Sequence, residues 1–325
     1  MRHTTLFFWI AGLYAQHGIS SFSPPKDLST RVSGEIREGG GNRDLARGQA
    51  LALEGKYAQA LSFLERSKAQ DPSNPLTWYW IGYCQENLDQ KEAALHSYDQ
   101  ALQRNPRLVQ AWWGKGSVLF KEKRYEEAYE AFEHVTEYAP KEPQGYFYAG
   151  AALWMQNKNL KAIPWWEQAI RLGIPDSEKV LVWIGDAYWE VDSLALAERA
   201  YGRATKGPNS PAEAWAGLGR VRLAQQDPEG ALPLLIRAES QLPEDPNPSY
   251  YKGLAYKQLG KMAEAQAAFQ EALRRRPDHA RALYEMGLIA LQQGQMDEAQ
   301  QYYERLKGVN SRLAQQLLQA ILSKR

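Results

Sequence analysis

A glycine returns along most of this chain at an almost fixed interval. It stands at Gly48, Gly82, Gly116, Gly150, Gly185, Gly219, Gly253 and Gly287, in steps of 34, 34, 34, 35, 34, 34 and 34. Twelve residues after each comes an alanine: Ala60, Ala94, Ala128, Ala162, Ala197, Ala231, Ala265 and Ala299. Four further on is a large side chain: Leu64, Tyr98, Phe132, Trp166, Tyr201, Leu235, Phe269 and Tyr303. The segment Val109–Glu142 shows what one period contains. Trp112, Gly116 and Leu119 fall on one helical stripe, and Ala128 and Phe132 on a second. Lys121 to Arg124 form a polar turn between them, and Pro140 stops the second helix. Such a hairpin cannot cover its own apolar face and needs neighbours of the same kind. Small residues at the glycine and alanine positions predict that two helices cross closely there.

The period of 34, read as W-x2-L-G-x2-Y…A-x3-F…P, resembles the tetratricopeptide repeat. Trp215, Leu218, Gly219, Ala231, Leu235 and Pro243 carry one close match, and Trp78, Ile81, Gly82, Ala94, Tyr98 and Pro106 another. The likeness runs from Gly41 to Arg312. Three copies lack the terminating proline and hold Ile174, Asn209 or Ser311 there, although Pro175 and Pro208 stand one residue away. The resemblance implies an all-α fold. It is an α-solenoid of about eight helical hairpins over 41–313, forming a right-handed superhelix, with a C-terminal capping helix over 314–325. The cap is expected from Leu313, Leu317, Leu318, Ile321 and Leu322 at helical spacing.

Several first helices have readable starts. Asn74-Pro75, Ser210-Pro211 and Asn247-Pro248 place a capping side chain before a proline. Pro164 and Pro233 fall inside second helices, the later one after an Asp227-Pro228 start. Arg274-Arg275-Arg276 end another second helix, where the helix dipole favours cations.

Residues 1–20 do not share the repeat. Arg2 and His3 precede an apolar run, Leu6–Ala15, too short to span a bilayer but suited to a secretory signal. Residues 21–40, with Pro24, Pro25, Gly39 and Gly40, read as a flexible linker. The expectation is therefore export to the periplasm or the extracellular space, with cytoplasmic residence if the N-terminus is not cleaved.

Lys plus Arg number 39 against 38 Asp plus Glu, a balance that gives no general attraction to nucleic acid. No integral membrane span is expected. Enzyme signals are absent. Gly217-Leu218-Gly219 follows no strand, the five histidines are scattered singly, and no triad or carboxylate pair can be placed. No cofactor, metal or catalytic residue is expected. Cys84 is the single cysteine and reads as a small packed residue.

With the glycine numbered position 8 of each repeat, positions 5, 9 and 12 form a stripe beside the packing stripe. In the family this stripe lines the concave face where ligands bind. Here it carries Tyr79, Tyr83, Trp113, Phe120, Phe147, Trp154 and Trp189, and position 6 adds Trp80, Tyr148 and Trp183. Positions 5 and 9 of the second to fourth repeats lack the lysines and asparagines with which family members clamp chaperone C-termini. The expected activity is non-enzymatic: an aromatic groove that binds a protein or peptide partner. The rival is carbohydrate stacking in a polysaccharide-export accessory protein, with Glu86, Asp186 and Glu190 as hydroxyl partners. A cytoplasmic regulatory repeat domain is a further alternative.

Overall fold

The structure, a computed structural model, describes residues 42–207 and 210–324. The expected signal and linker lie outside the described residues. Every regular element among the described residues is an α-helix. They divide into two compact units, one ending at Ile174 and the other beginning at Pro175.

The first unit holds α1 (Arg43–Leu53), α2 (Tyr57–Gln70), α3 (Pro75–Asn87), α4 (Lys91–Arg104), α5 (Val109–Lys121), α6 (Tyr125–Tyr138), α7 (Pro143–Met155) and α8 (Asn159–Arg171). The second holds α9 (Ser177–Glu190), α10 (Leu194–Ala204), α11 (Ala212–Ala224), α12 (Pro228–Gln241), α13 (Pro246–Gln258), α14 (Met262–Arg275), α15 (Ala280–Gln292), α16 (Met296–Lys307) and α17 (Ser311–Ser323). Each odd helix through α15 packs on the even helix that follows it, and within a unit each even helix packs on the next odd one. This is the all-α solenoid that the periodicity predicts.

The repeat glycines make room for a side chain as well as for the crossing helix. A Cβ added at any of the first seven would stand 2.5–2.9 Å from the large side chain sixteen residues on. The partner helix's backbone is further away: Ala60 O would be 3.3 Å from a Cβ on Gly48. The glycine thus makes room for a ring or a leucine more than for a backbone. Those seven large side chains, from Leu64 to Phe269, are fully buried.

Gly287 breaks the pattern. Its space is filled by Leu317 of α17, whose Cδ2 would be 2.5 Å from an added Cβ. Leu317 is fully buried while Tyr303, in the repeat's usual filling position, is only half-buried. The C-terminal helix begins at Ser311, three residues before the expected start, because Asn310 Oδ1 caps it by accepting from Leu313 N.

The turn between the two helices of each hairpin requires a left-handed residue at position 15. Gly55, Gly260 and Gly294 supply it at no steric cost. Asp89, Lys123, Asn157, Asp192 and Gln226 adopt it with φ between 56° and 62°. The one step of 35 is absorbed next to the division between the units, where Gly173 and Asp176 are also left-handed.

Caps follow the sequence in part. Asn74 accepts from Leu76 N at 2.9 Å, and Asp227 from Gly230 N at 2.9 Å. The expected Asn247-Pro248 start is displaced to Asp245-Pro246, since Asp245 Oδ1 takes Asn247 N at 2.9 Å. Two cap–proline pairs overlap in Asp245–Pro248, and the first is in phase with Asn74-Pro75. The Ser210-Pro211 start is displaced too: Pro211 is itself the N-cap residue of α11 and makes no side-chain cap. Pro164 and Pro233 lie inside α8 and α12, which continue through them.

Candidate functional site

The stripe at positions 5, 9 and 12 comes from the odd helices, of which α1 and α3, α3 and α5, α9 and α11, and α11 and α13 lie against each other. Eight of the ten aromatics expected to line it are buried: Tyr79, Trp80, Tyr83, Trp113, Phe120, Phe147, Tyr148 and Trp154. Their rings pack largely on one another. Tyr79 and Trp80 meet edge to face at 5.2 Å between centroids, Trp113 and Tyr148 at 5.3 Å, and Phe147 and Tyr148 at 5.1 Å. Trp154 lies 5.5 Å from Trp166. Such contacts add to area burial, and the one between Trp113 and Tyr148 ties two neighbouring first helices together. The remaining two, Trp183 and Trp189 on α9, are half-buried.

Around Trp189 the second unit gathers polar groups that the aromatic series alone does not point to. The Arg220 guanidinium of α11 lies 4.2 Å above the Trp189 ring. Its Nη2 donates to Asp186 Oδ1 at 2.9 Å and to the Tyr201 hydroxyl at 2.7 Å. Tyr201 in turn donates to Asp186 at 2.6 Å. Burial, and then the Asp186 charge, push the Tyr201 hydroxyl's pKa far up, so it stays a donor. Burial opposes the charge on Arg220, but Tyr201 and Asp186 outweigh it and the guanidinium stays cationic. Asp186 keeps 39% of its side chain exposed, against 16% for Arg220. A plane, a cation and an anion therefore share one first-helix face.

The first unit repeats the device with other residues. Tyr98 donates to Glu86 Oε2 at 2.8 Å, and Glu86 Oε1 also takes Ser117 Oγ at 3.2 Å and Lys121 Nζ at 2.8 Å. In both units a buried position-24 tyrosine reaches an acid on its own first helix, and the next hairpin supplies the cation. Glu86 and Asp186 stand out in the sequence as lone acids on an aromatic stripe. Arg220 does not, because only the tertiary contact with Tyr201 gives it a role. The signal for it was the tyrosine: a phenol placed in a core needs an acceptor.

Position 4 departs from expectation. Trp78 and Trp112 are half-buried, and each donates Nε1 to the carbonyl of the preceding repeat's terminal proline, at 2.9 Å to Pro72 and 2.7 Å to Pro106. Trp215 is also half-buried rather than core, with Arg237 3.8 Å over its ring. Its Nε1 has no hydrogen-bond partner among the described residues. The arginine run also does more than end a helix. Arg275 joins Glu239 of α12 at 3.0 Å, Glu271 of its own helix at 2.9 Å and the Asp245 carbonyl at 3.1 Å.

Cys84 is fully buried, and burial pushes its thiol up to about 12. Among the described residues no group of three or more His, Cys, Asp or Glu is placed to hold a metal ion. None of their helices is long and apolar enough to cross a membrane.

A sequence model of the tetratricopeptide repeat matches residues 85–135, 183–246 and 250–316, more than half of the chain. The chain is 23% identical over 253 residues to Tetratricopeptide repeat protein 8 of Caenorhabditis elegans, covering 77% of this chain and 42% of that protein. It therefore spans less than half the length of that curated relative. Among solved structures, it resembles the C-terminal part of a repeat-containing protein from Cytophaga hutchinsonii. The TM-score there is 0.60 and the identity 18%, over 74% of this chain and 98% of that one. It also resembles a chain of the APC/C hetero-tetramer Cut9–Hcn1, with a TM-score of 0.55 and 16% identity, over 86% of this chain and 55% of that one. At these identities the structural likeness concerns the fold.

Proposed function

Because the chain belongs to the tetratricopeptide repeat family, we propose that it is a non-enzymatic scaffold holding an extended partner segment on its first-helix face. The observation that carries this reading is the grouping at Trp189. A half-buried indole, the Arg220 guanidinium above it and the partly exposed Asp186 carboxylate offer an extended peptide three kinds of contact within one side chain's reach. The indole takes an apolar side chain, Arg220 a carbonyl or an acid, and Asp186 an N–H or a base. The eight buried aromatics belong to the packing of the first unit.

The proposal extends to location. Residues 1–20 act as a secretory signal, and the mature chain works outside the cytoplasm. Mass spectrometry of protein from a secretory host should find a start between Gln16 and Ser21; recovery with Met1 retained overturns export.

The functional test uses the full chain as affinity bait, with identification of what is retained. Trp189→Ala should weaken capture of the retained protein about thirtyfold, the cost of losing an interface anchor worth about 2 kcal/mol. Its helical content should not change. Undiminished capture by this variant would overturn the site, and recovery of a glycan in place of a protein would turn the reading to the carbohydrate rival.

A further inference from the structure

The most unusual surface among the described helices is on the opposite side of a hairpin from the first-helix stripe. Helix α6 carries Glu126, Glu127, Glu130, Glu133 and Glu137 with no lysine or arginine, and all five are exposed. Four of them, Glu126, Glu130, Glu133 and Glu137, follow one another at spacings of four, three and four, and so form one line along the helix. Like charges at those spacings destabilise a helix, and acids in the last turn oppose its dipole. The last turn of α6 has no basic residue to compensate. Arg124, just before the helix, holds Glu127 with two N–H groups, but Glu127 lies off this line, and along the line itself the neighbours compensate little. Lys158 comes only to 3.5 Å of Glu126, Glu137 meets His134 at 3.1 Å, and Glu133 takes the Tyr129 hydroxyl at 2.9 Å. Glu130 pairs with no cation among the described residues.

This line of acid runs between two half-exposed aromatic walls. On one side Tyr129 packs edge-on against Trp165 of α8, 5.6 Å between centroids, and Tyr146 of α7 lies against the same indole at 5.9 Å. On the other, His134 is stacked between Trp112 at 4.1 Å and Tyr138 at 5.9 Å. All six rings are neither buried nor fully exposed. The packing of the hairpins does not require four aligned acids between them.

We propose that this face of α6, with its aromatic walls, docks an arginine-rich extended segment of a partner. Charge complementarity selects a basic occupant. The walls select arginine over lysine, since a guanidinium stacks on an aromatic face while its N–H fork takes a carboxylate in two bonds. The surface lies on a second helix and does not depend on the first-helix reading.

The probe is a short fluorescent peptide of alternating arginine and glycine, titrated against the full chain by anisotropy, beside its lysine counterpart. The arginine peptide should bind, and the lysine peptide should bind several-fold more weakly. The triple variant Glu130→Gln, Glu133→Gln, Glu137→Gln should lose at least about tenfold in affinity. Because the acids repel one another, it should melt at the same temperature as the wild type or higher. Trp165→Leu should weaken binding as well, and Trp189→Ala should leave it unchanged, which separates this surface from the first-helix face. Equal affinity for the two peptides overturns the arginine assignment. Wild-type binding by the triple variant, or a lower melting temperature for it, overturns the surface.

Discussion

Gly114 faces the hydroxyl end of Tyr98: a Cβ added to the glycine would stand 2.6 Å from Tyr98 Oη. The ring is thereby clasped between Gly82 of its own hairpin and Gly114 of the next. Tyr201 is held in the same way by Gly185 and Gly217. Where the filling residue is the shorter Leu64 or Leu235, the position facing it in the next repeat is Trp80 or Tyr251. At these four joints a long ring meets a glycine and a leucine meets a ring, as close packing demands, whereas at the joint after Phe132 two rings stack, Phe132 on Tyr148 at 5.4 Å.

Gly114→Ala should therefore destabilise the chain by about 1–3 kcal/mol, because the fully buried ring of Tyr98 is also tied to Glu86 and cannot retreat. Urea unfolding measures this. Combining the change with Tyr98→Leu should recover part of the loss, and a double variant no better than Gly114→Ala would show that the ring is not the obstacle.

Trp154→Ala should cost about 3–5 kcal/mol, since the side chain is buried and lies against Trp166. Trp189→Ala should cost far less. Thermal melts of the two variants side by side test the division between buried and half-buried stripe aromatics. Equal losses would contradict it.

The left-handed turn residues offer a gain. Lys123→Gly and Gln226→Gly should each stabilise by up to about 1 kcal/mol, as an L side chain is disfavoured there and glycine is not. Gly55, Gly260 and Gly294 already occupy the same turn position. A fall in melting temperature for both would mean that the side chains make contacts worth more than the strain.

His279 should make stability depend on pH. It is buried at the N-cap of α15, where Nδ1 accepts from Ala282 N at 3.2 Å and so must be unprotonated. Burial, and then Arg276 and Arg281, hold its pKa below the ordinary 6.5, while Asp245 opposes them. The unfolded chain takes up the proton first as pH falls. The contribution is complete above about 6.5 and declines below it, levelling off once the folded state protonates too. His279→Asn keeps a capping acceptor and should flatten unfolding free energy between pH 7 and 5. A wild-type profile already flat there would remove the effect.

Cys84 should resist thiol reagents in the native chain and react on unfolding, since its thiol is buried and held at about 12. Rapid labelling under native conditions would contradict its place in the core.

The hairpins, their order and their phase were legible in the sequence, because a helical hairpin is a local object. The glycine, the alanine and the large residue lie within sixteen positions of one another. The pairing of Tyr98 with Gly114 was not legible, because only the tertiary structure shows that the ring reaches the next repeat. Which aromatics a partner can touch was not legible either. Helical phase assigns Tyr79, Trp113 and Trp189 to one stripe, but exposure depends on what the neighbouring hairpin brings against it. Tyr148 closes over Trp113 by ring packing, whereas Arg220 lies over Trp189 as a polar lid. Nor could phase show that Leu317, from a helix outside the repeat, would fill the space left at Gly287. Periodicity states which residues are equivalent. Burial is settled by side-chain volume across the joints between repeats, where equivalent positions carry different residues.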